Sequence, residues 1–213
     1  MLRGRLTKLV TAASVFTLRS GSLITPMLNL PNVLTCLRIL MVPVLVVVLL
    51  TKFEGKELVG LAVFLVAALT DFLDGFIARR WGLVTPLGKL LDPAADKILT
   101  SAVFISLVEL ERAPAWIVVI IVAREFAVST LRSVAATDNV VIAAAWSGKV
   151  KTVTQLVAIA LLIVEQQLGE LAYLGQVALV VALILTVYSG VDYSLRYAKV
   201  VRKQAKAQPP DAA

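Results

Sequence analysis

Residues 71–96 read DFLDGFIARRWGLVTPLGKLLDPAAD, and this stretch decides the fold because it places aspartates inside two strongly apolar segments. The aspartates are Asp71, Asp74, Asp92 and Asp96. One aspartate at the centre of a bilayer costs roughly 2.5 to 3.5 kcal/mol, so four unpaired ones would cost on the order of 10 kcal/mol. The sequence therefore predicts a cationic partner for these carboxylates.

The first pair of aspartates lies on one face of a predicted helix. On a helix that turns about 100° per residue, positions 71, 74, 75 and 78 share an arc of roughly 100°, so two carboxylates lie beside a glycine and an alanine. The second pair stands one turn apart on the next segment, and the four carboxylates converge if the two faces meet. Such hard oxygen ligands suit Mg²⁺, Mn²⁺ or Ca²⁺, and two divalent ions would balance the charge. As an alternative, these acids are ordinary helix caps in loops.

The fixed positions of this stretch form the pattern D-x2-D-G-x2-A-R-x8-G-x3-D-x3-D. It resembles the signature of the CDP-alcohol phosphotransferases, and every fixed position is matched. The resemblance implies an enzyme in which an acceptor hydroxyl attacks the phosphorus nearest the lipid in a CDP-activated lipid and releases CMP. Because the chain contains no histidine, any base must be a carboxylate, a lysine or water.

The same resemblance assigns roles to individual residues. It implies that two Mg²⁺ or Mn²⁺ ions bind the aspartates and that Asp96 is also the general base. The predicted metal ligands are Asp71, Asp74, Asp92 and Asp96. The residues of this stretch predicted to contact the CDP-lipid are Asp71, Gly75, Ala78 and Arg79.

The start of the first apolar helix carries a second motif. Residues 29–38 read NLPNVLTCLR, which is similar to the opening of phosphatidylglycerophosphate synthases, a branch of the same family. Asn32, Thr35 and Arg38 lie near one face of the predicted helix, and we predict that Asn32 and Thr35 contact the CDP-lipid. As an alternative, Asn32 merely caps the helix.

The composition predicts a membrane domain. The 213-residue chain is 59% hydrophobic with a mean hydropathy of +0.90, which indicates an all-α integral membrane protein with six transmembrane helices. The apolar stretches are 33–50, 58–77, 90–108, 116–134, 153–164 and 171–191. The fifth stretch is short and is expected to extend into its polar flanks. Residues 29–200 would form the catalytic domain and residues 201–213 a cytoplasmic tail.

Basic residues in the connections predict the orientation. Most arginines and lysines fall on one side of the predicted membrane, and Lys52, Lys56 and Arg112 fall on the other. By the positive-inside rule both termini are cytoplasmic, and residues 71–96 open to the cytosol. Since the net charge of +7 follows this topology, we predict membrane lipids and phosphorylated substrates as partners and no nucleic acid. A bacterial plasma membrane is favoured, with an organellar inner membrane as the alternative.

Residues 1–28 form a basic, amphipathic segment without acidic residues. We predict an N-terminal amphipathic interfacial helix. The alternatives are an organelle transit peptide and a natural start at Met27.

A second constellation of charge lies in the fourth and fifth apolar segments. Arg124 and Arg132 are about 80° apart around a helix, so both can border one cavity. Lys149 and Lys151 follow a glycine at a predicted helix start, which favours anion binding. We predict that these four cations bind the phosphate of the acceptor. The alternatives are a salt bridge between Arg124 and Glu125 and ordinary loop charge for the two lysines.

The strings AREFAVSTLR and GKVKT of this constellation are similar to those of phosphatidylglycerophosphate synthases. The similarity implies transfer of the phosphatidyl group from CDP-diacylglycerol to sn-glycerol 3-phosphate. Another phosphorylated alcohol, such as inositol phosphate, is the alternative acceptor, and a divalent-cation transporter is the alternative from another class. The family resemblance also implies a homodimer.

Overall fold

The computed structural model describes residues 30–81, 86–137 and 146–207, with side chains described for 33–71, 73, 91–136 and 148–202. The α-helices are α1 Leu30–Leu50, α2 Lys56–Trp81, α3 Pro86–Glu109, α4 Ala115–Thr137, α5 Trp146–Ile163 and α6 Tyr173–Ala207. Two short 3₁₀ turns, Glu165–Gln167 and Gly169–Leu171, connect α5 to α6. The all-α prediction is confirmed for these described ranges.

Each helix coincides with one of the predicted apolar stretches. The helix of the short fifth stretch extends into the polar residues before it, as expected: α5 begins at Trp146. The last helix continues past the apolar stretch to Ala207 and so covers the first residues of the predicted tail. Alanine, lysine, arginine and glutamine dominate that extension, and all four are good helix formers. The predicted interfacial helix at 1–28 lies outside the described residues.

Two segments within the described ranges are long and apolar enough to cross a membrane, Val33–Leu50 and Gly169–Arg202. Large apolar side chains on several helices also point outward. The most exposed are Leu40, Val47, Ile105, Trp116, Val119, Ile184 and Tyr188, each more than three-fifths exposed. Water would disfavour so much outward apolar surface, whereas lipid accommodates it. The chain is therefore an apolar helical protein suited to a membrane.

The chain forms two compact units. Unit 1 is the described part of Met1–Pro43 and Val66–Leu99, and unit 2 is the described part of Val44–Leu65 and Thr100–Ala213. In unit 2, α6 packs against both α4 and α5. Its core consists of fully buried side chains, among them Leu45, Leu49, Phe64, Phe104, Leu107, Ile121, Ile159, Leu162 and Leu179.

Buried polar groups join the connections between helices at one end of unit 2. Arg112, in the α3–α4 connection, donates to Glu57 in the first turn of α2 at 3.0 Å and to the carbonyl of Ile163 at the end of α5 at 2.6 Å. Gln167 also donates to Glu57, at 3.1 Å, and Gln176 donates to the carbonyl of Arg112, at 2.8 Å. We call these residues the Glu57 network. An alternating up-and-down path brings such connections to the same end.

Candidate active site

In unit 1 the first aspartate of the signature has a cationic partner within the chain. Arg38 on α1 is completely buried, and its Nη1 lies 2.6 Å from Oδ1 of Asp71 on α2. The Asp71 side chain is 41% exposed, so the pair connects the interior of the protein to an accessible carboxylate. A buried guanidinium requires a counter-charge, because taking an unpaired charge out of water is strongly unfavourable. Arg38 therefore orients Asp71.

A second contact from α1 orients Asp92, the third aspartate of the signature in chain order. The buried Thr35 hydroxyl on α1 donates to Oδ1 of Asp92 on α3 at 2.6 Å. Thr35 and Arg38 are one turn apart, so one face of α1 contacts carboxylates on both α2 and α3. Asp96 stands one turn beyond Asp92 on α3 and is partly exposed. The sequence placed Thr35 near the site, and the structure gives it this particular contact.

The remaining predicted residues of this region have no described side chains. They are Asn32, Asp74, Gly75, Ala78 and Arg79. Their backbones lie within α1 and α2, and α2 is continuous to Trp81, so positions 71, 74, 75 and 78 share one helical face as expected.

The carboxylates of the signature are the groups available to bind a divalent metal. Among the described side chains, no group of three or more histidine, cysteine or acidic residues could hold an ion. Asp71, Asp92 and Asp96 therefore do not by themselves form the predicted cluster of four carboxylates. The fourth carboxylate, that of Asp74, lies outside the described side chains. The donor chemistry fits, because carboxylate oxygens are the ligands that Mg²⁺ and Mn²⁺ prefer.

In unit 2 two of the predicted phosphate-binding cations meet on one carboxylate. Arg124 Nη1 donates to Glu125 Oε1 at 3.0 Å, and Lys151 Nζ donates to the same oxygen. Gln155 Nε2 is 3.4 Å from that oxygen as well. We call Arg124, Glu125, Lys151 and Gln155 the Glu125 cluster. It joins α4 to α5 in the interior of unit 2.

The sixth helix holds the other side of this cluster. Arg124 Nη2 donates to the Ser189 hydroxyl at 2.8 Å, and Gln155 Nε2 is 3.0 Å from the Thr186 hydroxyl. Gly190 permits the close approach of Arg124, because a Cβ built there would lie 3.0 Å from both Cγ and Nε of that arginine. Helix α6 thus fixes the position of the Arg124 side chain.

The other two predicted cations are Arg132 and Lys149, and their described contacts do not include the Glu125 cluster. Arg132 is exposed, and its guanidinium carbon lies 5.7 Å from the centroid of the Tyr193 ring, within cation–π range. Lys149 is exposed on α5, and the neighbouring Gly148 has open space where a Cβ would stand. The salt bridge between Arg124 and Glu125, the alternative that the sequence left open, is present. The phosphate-binding role of these cations remains a prediction.

Several residues of these contacts were not among the predicted site residues. They are Arg38, Glu125, Gln155, Thr186, Ser189 and Gly190. All of them lie within apolar helices. A polar residue in such a helix is expensive unless it has a partner, and this was the signal available in the sequence. This signal identifies the residues but does not identify their partners.

Comparison with known proteins agrees with this combination of an acidic signature and apolar helices. The model of the CDP-alcohol phosphatidyltransferase family matches residues 28–188, which include the aspartates and both cationic strings. The chain belongs to the CDP-alcohol phosphatidyltransferase family and is a transferase.

Three relatives illustrate how far the similarity extends. The CDP-diacylglycerol–glycerol-3-phosphate 3-phosphatidyltransferase of Bacillus subtilis is 42% identical over 181 residues, covering 78% of this chain and 94% of the relative. The probable phosphatidylglycerophosphate synthase of Mycobacterium tuberculosis is 41% identical, covering 79% and 81%. A Rickettsia felis protein with the same name as the Bacillus relative is 38% identical, covering 78% and 93%. The similarity thus spans most of each chain.

Proposed function

We propose that this protein transfers the phosphatidyl group of CDP-diacylglycerol to sn-glycerol 3-phosphate, producing phosphatidylglycerophosphate and CMP. The observation that carries the proposal is the complete aspartate signature at 71–96, in a chain whose relatives are named for this reaction. The acceptor oxygen forms a bond to the phosphorus nearest the lipid while the bond from that phosphorus to CMP breaks. Such phosphoryl transfer depends mainly on positioning and on charge neutralisation.

The carboxylates supply the proposed metal site and the proposed base. Asp71, Asp74, Asp92 and Asp96 would hold one or two Mg²⁺ or Mn²⁺ ions, and this metal would supply neutralisation of charge on the diphosphate. Asp96 takes the proton of the acceptor hydroxyl as the new bond forms.

Helix α1 supports this site through two contacts. Arg38 holds Asp71 and Thr35 holds Asp92, each across 2.6 Å, so both carboxylates keep their orientation when no substrate is bound. A catalytic group held in place by a fixed partner needs less reorganisation in the transition state. In the proposed site the CDP-lipid contacts a further set of side chains, Asn32, Gly75, Ala78 and Arg79.

The acceptor is proposed to bind through its phosphate to cations of unit 2. Those cations are Arg124, Arg132, Lys149 and Lys151. An arginine offers a planar fork of donors to phosphate and a lysine a compact charge. An acceptor without phosphate would have no need of four cations, so glycerol 3-phosphate fits better than serine or choline.

The proposed enzyme spans the membrane six times with both termini in the cytoplasm and acts as a homodimer. The described helices, their outward apolar side chains and the common end of three connections in unit 2 support the spanning path. Its proposed location is a bacterial plasma membrane. Residues 1–28 lie along the cytoplasmic face of that membrane as an amphipathic helix.

The test is CMP release by the purified full-length protein with CDP-diacylglycerol and Mg²⁺ or Mn²⁺. Parallel reactions contain glycerol 3-phosphate, inositol phosphate, serine or no acceptor. We expect release that depends on glycerol 3-phosphate and on the metal and that is lost in Asp96→Asn. Asp192→Asn is the matched control, because within the described residues Asp192 pairs with Arg196, one turn away on α6, and it lies outside the proposed site. Release with inositol phosphate instead would move the proposal to that acceptor, and no release with any acceptor would overturn it.

A further inference from the structure

Glu125 gathers the polar groups of α4 and α5 onto a single oxygen atom. Donors from Arg124, Lys151 and Gln155 all point to its Oε1. The Arg124, Glu125 and Lys151 side chains are only 12%, 17% and 9% exposed. Since three donors share one acceptor, this oxygen sets the distance between the guanidinium and the ammonium group.

Among the described side chains, the cluster holds two cations and one carboxylate. Arg124 and Lys151 contribute two positive charges and Glu125 one negative charge, so these three side chains carry a net charge of +1 between them. In a site that is largely removed from water, such an excess favours an incoming anion more strongly than it would at the surface. Among the described residues the buried Nε of Arg124 has no hydrogen-bond partner, and it lies against Gly190.

Helix α6 limits how the cluster can rearrange. Ser189 accepts a hydrogen bond from Arg124, and Thr186 lies within hydrogen-bonding distance of Gln155. Arg124 is thereby held at both ends of its guanidinium group, by Glu125 on its own helix and by Ser189 on another. A guanidinium fixed in this way loses less conformational entropy when it binds a ligand.

We propose that Glu125 is a positioning residue for the acceptor: it holds Arg124 and Lys151 side by side for the acceptor phosphate while cancelling only one of their two charges. This inference rests on the proposed function, in which these cations bind glycerol 3-phosphate. Without the carboxylate the two cations repel each other and separate, and the acceptor phosphate meets them one at a time. The nucleotide-lipid substrate makes no use of the cluster.

The experiment measures the KM of each substrate separately in Glu125→Gln and Glu125→Asp, using the full-length protein and the CMP-release assay. We expect Glu125→Gln to raise the KM for glycerol 3-phosphate by about tenfold or more, the effect of weakening one charge-assisted contact. The KM for CDP-diacylglycerol should stay within about twofold, since a uniform loss of binding affects only the substrate that makes the contact. Glu125→Asp keeps the charge and should recover part of the acceptor affinity. Glu170→Gln, an exposed glutamate between the two last helices, is the matched control.

A second measurement does not require catalysis. Glycerol 3-phosphate should raise the thermal midpoint of the wild-type protein in detergent and raise that of Glu125→Gln less, because a ligand stabilises the state that binds it. Ser189→Ala, which releases the other end of Arg124, should raise the acceptor KM in the same direction by a smaller factor, and it serves where Glu125→Gln does not fold.

The outcomes separate the two proposals. An unchanged acceptor KM in both Glu125→Gln and Ser189→Ala would overturn the positioning role, as would an equal rise in the KM of both substrates. A lower acceptor KM in Glu125→Gln would also overturn it, because the carboxylate would then be competing with the phosphate. If the wild type fails to release CMP with glycerol 3-phosphate, the proposed function fails; a phosphate-dependent rise in thermal midpoint that Glu125→Gln abolishes would still support the positioning role.

Discussion

The Glu125 cluster and the Glu57 network are both buried ion pairs in unit 2, and they differ in how their charges balance. Among the described residues, Glu57 has one cationic partner, Arg112, whereas Glu125 has two. The remaining groups of the Glu57 network are neutral donors and carbonyls. A balanced pair has no excess charge to offer a ligand, while the unbalanced trio does. The difference separates a contact that holds helices together from one suited to bind an anion.

The position of the two sets agrees with this division. The Glu57 network joins the connections of α3–α4 and α5–α6 to the start of α2, so it constrains the path of the chain. Glu111 precedes Arg112 and has a φ of 58°, a conformation unfavourable for a residue with a side chain. That turn directs Arg112 inward. The Glu125 cluster instead lies within helices that already have their own packing.

The largest effect is expected from breaking the balanced pair. Arg112→Gln leaves Glu57 buried without its counter-charge, and removing one partner of a buried pair costs about 3 to 5 kcal/mol. We expect a marked fall in the thermal midpoint in detergent with an unchanged KM for glycerol 3-phosphate. Arg196→Gln is the control, because this exposed arginine pairs with Asp192 on its own helix, and it should leave the thermal midpoint nearly unchanged. A midpoint equal to that of the wild type would contradict the structural role of the pair.

Removing a cation from the Glu125 cluster should affect the kinetics of the reaction more than the stability of the protein. Arg124→Gln removes a donor proposed for the acceptor phosphate and leaves a charge-neutral pair of Glu125 and Lys151. We expect kcat/KM for glycerol 3-phosphate to fall about a hundredfold, as for the loss of a buried charged contact. The midpoint should fall less than in Arg112→Gln, because each remaining charge keeps a partner. Kinetics that match the wild type would show that Arg124 has a purely structural role.

Two glycines of α6 provide a matched pair of smaller perturbations. A Cβ at Gly190 would stand 3.0 Å from Arg124 Cγ and Nε, and a Cβ at Gly175 would stand 3.0 Å from Leu162 Cδ2. Both alanine substitutions therefore displace one side chain by a few tenths of an ångström. Gly190→Ala should raise the acceptor KM about threefold to tenfold by shifting Arg124, and Gly175→Ala should leave that KM unchanged. Equal effects on the acceptor KM would remove the distinction between the two positions.

The smallest effect is the pH dependence of the Glu57 network. Burial raises the pKa of Glu57, but hydrogen bonds from its own backbone N–H, from Arg112 and from Gln167 outweigh burial and hold the pKa below its ordinary value of 4.5. Since the folded pKa is the lower one, the stabilisation is fully present above pH 4.5 and is lost as the pH falls through the folded pKa. The midpoint difference between the wild type and Glu57→Gln should therefore shrink below pH 4.5. A difference that persists at lower pH would contradict the lowered pKa.

Much of the helical frame follows from the sequence, because hydropathy runs and their polar interruptions are local properties. The stretch 33–50 lies wholly within α1, and 116–134 lies within α4. The boundary of α6 was less predictable. Its charged extension to Ala207 has good helix formers but no apolar signal, so hydropathy placed the end of the helix too early.

The candidate sites were predictable to a different extent. The aspartates of 71–96 stand at fixed spacing, so the sequence sufficed to single them out, and their roles as ligands and base remain predictions. The spacing places Arg38 on the same helical face as Thr35, but it does not indicate a role for Arg38, because its partner Asp71 is on another helix. Glu125 was visible beside Arg124, yet its contact with Lys151 joins residues on two helices. Pairings between helices depend on how the helices rotate and pack, which local spacing does not specify.

The sequence by itself determined which residues carry charge inside apolar helices, the spacing of the aspartate signature and the family to which the chain is similar. These follow from the order of the residues and from the cost of placing polar groups in an apolar surrounding. Only the tertiary structure decided that Asp71 meets Arg38, that Glu57 balances Arg112 and that Glu125 holds two cations. The physical reason is that a buried charge must find a partner, but which partner it finds depends on the helix that packs against it.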